Sequence, residues 1–174
     1  WVLVRVREGE RVMQILGVDH LVLRVVGLER MLEFYCGVLG CTVERREDQV
    51  GLVQLRAGAS LIDLVPVSGK LGAAGGAAPG REGRNLDHFC LRVEPFDAMA
   101  IRRHLQAHGL EPGAVALRNG AEGRGPSIYV ADPEGNVVGL TPFSHRQLPG
   151  EYSSDHRLSG FGALSGGVVV QKQL

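Results

Sequence analysis

Cysteine is scarce in this chain: Cys36, Cys41 and Cys90 are the only three among 174 residues, and no two form a CxxC pair. An odd count without that spacing supports neither a disulfide framework nor a structural zinc knuckle. An excess of charge is missing too, since 19 Lys and Arg face 19 Asp and Glu for a formal net charge of zero. That balance speaks against a nucleic-acid partner, which calls for a concentrated basic surface, and against a polybasic membrane-surface protein. No uninterrupted apolar run reaches the roughly 20 residues of a membrane-spanning helix. What remains is a reduced, cytoplasmic, soluble domain, and a hydrophobic share of 44% is enough for one sizeable core.

Both ends differ from the middle. WVLVRVREGERV (1–12) alternates apolar and charged positions and suits a short strand, without the long apolar stretch and cleavage site of a secretory signal. Met13 precedes the first strongly patterned segment, so residues 1–13 are expected to be an extension upstream of a natural start at Met13. Residues 144–174 are rich in Ser and Gly and lack a period, which predicts a tail in loop or disorder. VVVQKQL at its end has enough β-branched residues for a strand of unspecified position.

The middle, 14–143, repeats itself. VDHLVLRV (18–25) and LDHFCLRV (86–93) share the pattern apolar-Asp-His-apolar-x-Leu-Arg-Val, with His20 and His88 as counterparts. A helical segment follows each. In the first, Leu28, Met31, Leu32, Tyr35, Val38 and Leu39 make one apolar stripe that stops at Gly40. In the second, Asp97 is the expected N-cap, Ala98, Ile101 and Leu105 the apolar side, and Gly109 the stop. Three strand-like segments come next: CTVERRE, VGLVQLRA and ASLIDLVPV in the first half, and roughly GAVALRN, PSIYVAD and NVVGLTPF in the second. DPEGN (132–136) reads as a turn, and the Gly- and Ala-rich 69–84 as a linker or mobile loop. The reading is an α+β protein of two tandem βαβββ modules, 14–68 and 85–143.

Strand alternation then sorts the side chains. Leu21, Leu23 and Val25, like Phe89, Leu91 and Val93, form apolar faces that should pack on the helices. His20, Val22 and Arg24, like His88, Cys90 and Arg92, should line the concave side. Asp63 is the sole charge among apolar neighbours in SLIDLVPV. Burying an unpaired carboxylate is costly, so Asp63 needs a cation, a donor or a metal. Its counterpart in the second module is Gly139, which offers no ligand. An isolated strand histidine is commonly a satisfied structural residue, and an Asp-His pair a simple hydrogen-bonded couple. Two symmetry-related histidines plus one carboxylate, all facing the cleft, favour a metal.

VDHLVLRV, LERMLEFYCGVLGC, LVQLRAGASLIDLVPV, NLDHFCLRVE and SIYVADPEGNVVGL, in that order from about residue 15 to 143, resemble the vicinal oxygen chelate superfamily. That group includes glyoxalase I, extradiol dioxygenases, and bleomycin- and fosfomycin-resistance proteins. The resemblance implies that the two modules curl a mixed sheet around a metal cleft, with His20, Asp63 and His88 as metal ligands. Relatives commonly carry Glu in a phrase like NxxEL where this chain has NVVGL, so Gly139 removes one carboxylate. Two histidines and one carboxylate still suit Fe(II), Mn, Ni or Zn. In glyoxalase-type members the missing Glu also moves the proton, a role left here to Asp63. The implied function is glyoxalase-like lyase or isomerase chemistry on a small oxygenated substrate. The alternatives are an Fe(II) extradiol-type dioxygenase and a non-catalytic drug- or small-molecule-binding protein. Many relatives are dimers that complete the cleft across an interface, so a homodimer is among the outcomes the resemblance implies.

Other candidates carry plainer readings beside their functional ones. Arg24 and Arg92 could attract a substrate carboxylate or phosphate, or sit at strand ends in solvent. Tyr129 is a candidate cleft donor or a core residue. His104 and His108, at i and i+4, are expected on a solvated helix face. Cys90 is expected to be inert packing, and GAEGRGPS (120–127) a loop over the cleft.

Overall fold

Both copies of the octapeptide become strands. The computed structural model, which describes residues 14–143, places β1 at His20–Val25 and begins the second module with β5 at His88–Val93. After β1 come helix α1 (Leu28–Leu32), continued by a π-helical turn over Glu33–Val38, and then β2 (Thr42–Glu47), β3 (Leu52–Ala57) and β4 (Ser60–Pro66). A short helix, α2 (Lys70–Ala73), opens the segment between the modules. After β5 come α3 (Ala98–Ala107), β6 (Ala116–Gly120), β7 (Gly123–Ala131) and β8 (Val137–Pro142).

The βαβββ order is thus built twice, and the two sheets repeat one topology. They run β1-β4-β3-β2 and β5-β8-β7-β6, each with its outer pair β1/β4 or β5/β8 parallel and the other neighbours antiparallel. Each sheet is open and four-stranded, and among the described residues no strand of one pairs with a strand of the other.

The apolar faces pack as their alternation requires. Leu23, Val25, Leu55, Ile62 and Leu64 meet Met31, Phe34 and Tyr35 of the first helix, and the same core continues to Leu105, Ile128 and Val138 of the second module. Each such side chain contributes roughly 1.5–3 kcal/mol on burial. The π turn is where the first helix departs from a regular stripe. Leu39 N–H bonds the Phe34 carbonyl at 3.0 Å, and the wider turn accompanies burial of two adjacent aromatics whose rings meet edge to face at 5.0 Å. A regular helix turns consecutive side chains roughly 100° apart. In α3, Asp97 is the N-cap expected: its carboxylate accepts from Ala100 N–H at 2.9 Å.

One expectation needs correction. GAEGRGPS is not a loop over the cleft, because β6 and β7 pair through it and turn at Ala121 and Glu122. Gly123, at φ 102°, supplies the conformation that tight reversal requires. The linker expected at 69–84 is held along part of its length. Arg24 donates to the carbonyls of Gly72, Gly76 and Ala77 at 2.7–3.1 Å, which fixes the segment against β1.

The modules are joined by the DPEGN turn. Asp132 Oδ1 accepts from the N–H groups of Glu134 and Asn136, each at 2.9 Å, and its Oδ2 accepts from Asn136 Nδ2 at 2.8 Å and from the Tyr35 hydroxyl at 2.9 Å. Burial next to that carboxylate pushes the Tyr35 phenol far above its ordinary pKa. Asn85 extends the chain of bonds, donating to Asn136 Oδ1 and to the Arg24 carbonyl while accepting from Arg24 N–H. Its amide thereby stands in for a neighbouring strand on the open side of β1. Glu134 accepts from Val26 N–H at 2.9 Å, just ahead of α1. No described helix is long and apolar enough to cross a membrane.

Candidate functional site

The inner faces of the two sheets carry the candidate residues. His20 is half exposed at the start of β1, and its Nδ1 lies 2.8 Å from Asp19 Oδ2. A carboxylate accepts and does not donate, so Nδ1 holds the proton and Nε2 is the free donor atom of the neutral ring. The hydrogen bond to Asp19, with Asp63 as a further negative charge, raises the His20 pKa above its ordinary value. His88 repeats the arrangement in the second module, with Nδ1 2.8 Å from Asp87 Oδ1. Its ring stands edge-on to Tyr129, centroids 5.6 Å apart.

Asp63 is 5% exposed. Register places it beside Val22 on β1 and Gln54 on β3, and Gln54 Nε2 donates to its two oxygens at 3.1 and 3.2 Å. The Gln54 carbonyl is in turn held by the Arg45 guanidinium at 2.9 and 3.2 Å. Among the described residues Asp63 has no Lys or Arg at ion-pair distance. A buried carboxylate with one amide donor and no cation of the chain's own is a place where a cation would be stabilised.

In the second module the equivalent row is Cys90, Gly139 and Tyr129. A Cβ at position 139 would lie 2.4 Å from Cys90 Sγ and 3.1 Å from Tyr129 Cε1. The two side chains close over the glycine and interact with each other. Loss of solvation pushes both the Cys90 thiol and the Tyr129 phenol up, so each holds its proton, although Cys90 is an exposed residue and not the buried packing expected.

The donor chemistry therefore fits a divalent cation. Ring nitrogens oriented by carboxylates are the usual outer support of metal-binding histidines, and Asp63 adds an uncompensated charge. One chain does not gather the set, however: among the described residues no three His, Cys, Asp or Glu side chains are grouped to hold an ion. His20 and Asp63 share the first sheet, and His88 lies on the second.

The other candidates fall elsewhere. Arg24 is occupied by the carbonyls of 72–77. Arg92 pairs with Glu122 at 3.2 Å and lies 5.6 Å from the Phe143 ring centre. His104 on α3 and His108 just beyond its end are exposed, bonded respectively to the Val38 and His104 carbonyls. Gln54 escaped the sequence reading although its place on β3, opposite Asp63 in a tight hairpin, could have identified it.

These features can be set beside known proteins. The model of the Glyoxalase/Bleomycin resistance protein/Dioxygenase superfamily matches residues 17–140. The chain belongs to that superfamily. Solved structures agree on the fold. An integron cassette protein from the mobile metagenome of V. cholerae is 24% identical, with a TM-score of 0.62 over 77% of this chain and 100% of its own. A virulence protein from Salmonella typhimurium is 24% identical, with a TM-score of 0.60 over 75% of this chain and 98% of its own. An antibiotic-binding protein from a Streptomyces species is 21% identical, with a TM-score of 0.54 over 75% and 98%. Superfamily membership accounts for the duplicated module.

Proposed function

We propose that the protein is a divalent-metal-dependent member of the superfamily, acting on a small oxygenated substrate by glyoxalase-like lyase or isomerase chemistry, with His20, Asp63 and His88 as the metal ligands. The observation that carries this reading is the identical local geometry of the two histidines, each with Nδ1 on the preceding aspartate and Nε2 left free. Carboxylate support of one ring nitrogen is the usual arrangement around a metal-binding histidine, and here it occurs in both modules. A bound Zn, Ni, Mn or Fe(II) ion would supply electrophilic stabilisation of charge on two substrate oxygens. The chain's own groups do the rest. Asp19 and Asp87 orient the rings, Arg45 holds Gln54, and Gln54 holds Asp63. With Gly139 in place of a carboxylate, Asp63 is the base we assign.

Since one chain keeps His88 apart from His20 and Asp63, we assign its contribution to a second copy in a homodimer. The exposed inner face of β1, with His20 and Val22 half open to solvent, supports this. Three free thiols suit a reducing compartment such as the cytoplasm.

The test is complementation. His20→Ala and His88→Ala should each abolish metal binding, and unfolding and refolding them as a mixture should restore about a quarter of the wild-type metal, because half of the dimers are mixed and each has one intact site. No restoration would contradict the shared site. The fold of Cys90 and Tyr129 over Gly139 favours a second reading, a small-molecule-binding protein without catalysis; the Streptomyces protein of like fold is described as antibiotic-binding. Failure of the wild-type protein to bind any of the four metals would select it.

A further inference from the structure

The inner face of the second sheet holds polar groups that the metal set does not use. Ser127 is 4% exposed, and among the described residues its hydroxyl has no hydrogen-bond partner. A buried hydroxyl without a partner is unusual enough to ask what it waits for. It sits two residues before Tyr129 on β7, and Ile128 between them points into the core, so Ser127 and Tyr129 share the inner face. Ser127 is opposite Ala116 on β6, and Arg118, two residues further along that strand, is on the same face. The positive charge of Arg118 acts on the Tyr129 phenol, opposing the upward push of burial. Arg118 has no carboxylate partner among the described residues. Its hydrogen bond is a long one, 3.3 Å, to the Leu117 carbonyl.

A guanidinium without a carboxylate partner, a phenol and a buried hydroxyl that has no hydrogen-bond partner among the described residues share one face of β6 and β7. We propose that Arg118, Ser127 and Tyr129 form a subsite for an anionic oxygen group of the ligand, a carboxylate or a phosphate. The subsite lies beside His88 and so rests on placing the cleft on these inner faces; it gives the proposed substrate its chemical class. Arg118 supplies charge and a planar fork, which suits both anions. Ser127 and Tyr129 fix where the oxygens sit.

Titration of the full-length, chelator-treated protein with inorganic phosphate, and separately with acetate, tests this at ionic strength held constant with chloride. Arginine Nε–H and tyrosine ring resonances are followed by NMR. Saturable shifts at Arg118 and Tyr129 are expected with at least one of the two anions, and which one responds identifies the group. Arg118→Gln should weaken that binding at least tenfold. Ser127→Ala should weaken it severalfold, and Arg118→Lys should fall between wild type and Arg118→Gln. Absence of saturable binding to either anion, or binding unchanged in Arg118→Gln, would overturn the subsite. Because the protein is stripped of metal, a positive result stands even if the metal proposal fails, and a negative one leaves that proposal intact.

Discussion

Gly139 is the position where the chain's own packing and its proposed chemistry meet, and adding one methyl group there gives a quantitative test. In Gly139→Ala the new Cβ lies 2.4 Å from Cys90 Sγ and 3.1 Å from Tyr129 Cε1. Non-bonded heavy atoms settle at roughly 3.5–4.0 Å, so the sulfur has to move by about 1 Å or more. Overpacking of this kind costs about 1–3 kcal/mol, offset by the roughly 0.5–1 kcal/mol that alanine gains over glycine in a strand. A net loss of about 1–2 kcal/mol is expected in urea unfolding. Cys90→Ala removes the sulfur and leaves a Cβ at 3.5 Å from the new methyl, so the double variant should be no less stable than Cys90→Ala alone. The coupling between the two sites is then about 1–2 kcal/mol. Losses that simply add would refute the packing argument. In the same background, Cys90→Ala with Gly139→Glu should bind metal more tightly than Cys90→Ala by supplying a further carboxylate. An unchanged affinity would show that position 139 does not face the ion.

Three further outcomes follow from the geometry. Tyr35→Phe deletes a buried hydrogen bond to Asp132 and should cost about 1.5 kcal/mol, the low end for bonds to charged groups, because Asp132 keeps three other donors; a change below about 0.5 kcal/mol in denaturant unfolding would count against the junction. Asp19→Asn should lower the His20 pKa toward its ordinary 6.5, read by NMR titration of the ring protons. The raised value means that the Asp19–His20⁺ pair stabilises the fold below that pH and is lost as pH rises through the folded pKa. Metal affinity at Nε2 should accordingly increase with pH in wild type, over a lower range in Asp19→Asn. Arg24→Met should speed tryptic cleavage after Lys70 severalfold while the far-ultraviolet dichroism stays native, since Arg24 tethers the carbonyls of 72–77; an unchanged cleavage rate would remove that role.

Much of the fold could be read from the sequence because it is written twice. The octapeptide repeat located β1 and β5, and alternation correctly set Leu23 and Val25 into the core, on the face opposite His20 and Val22. Asp63 was legible as a charge among apolar residues that needs a partner, and Asp97 as a cap. The failures involve partners distant in the chain. Arg24 finds its carbonyl acceptors 48–53 residues away, and no local pattern announces them. GAEGRGPS has a loop's composition, but its glycines serve the hairpin, one of them as the positive-φ residue of the turn. The Arg118, Ser127 and Tyr129 cluster depends on the register between β6 and β7, which a Gly-rich segment does not specify by hydrophobic pattern.

The central claim is that His20, Asp63 and His88 hold one divalent ion. Equilibrium dialysis of the metal-stripped protein against Zn, Ni, Mn and, under anaerobic conditions, Fe(II), with elemental analysis of bound metal per chain, tests it most directly. One equivalent of at least one of these metals is expected in the wild-type protein, and none in His20→Ala, Asp63→Ala or His88→Ala. Retention of a full equivalent by any of the three variants, or no metal in the wild type, would contradict it.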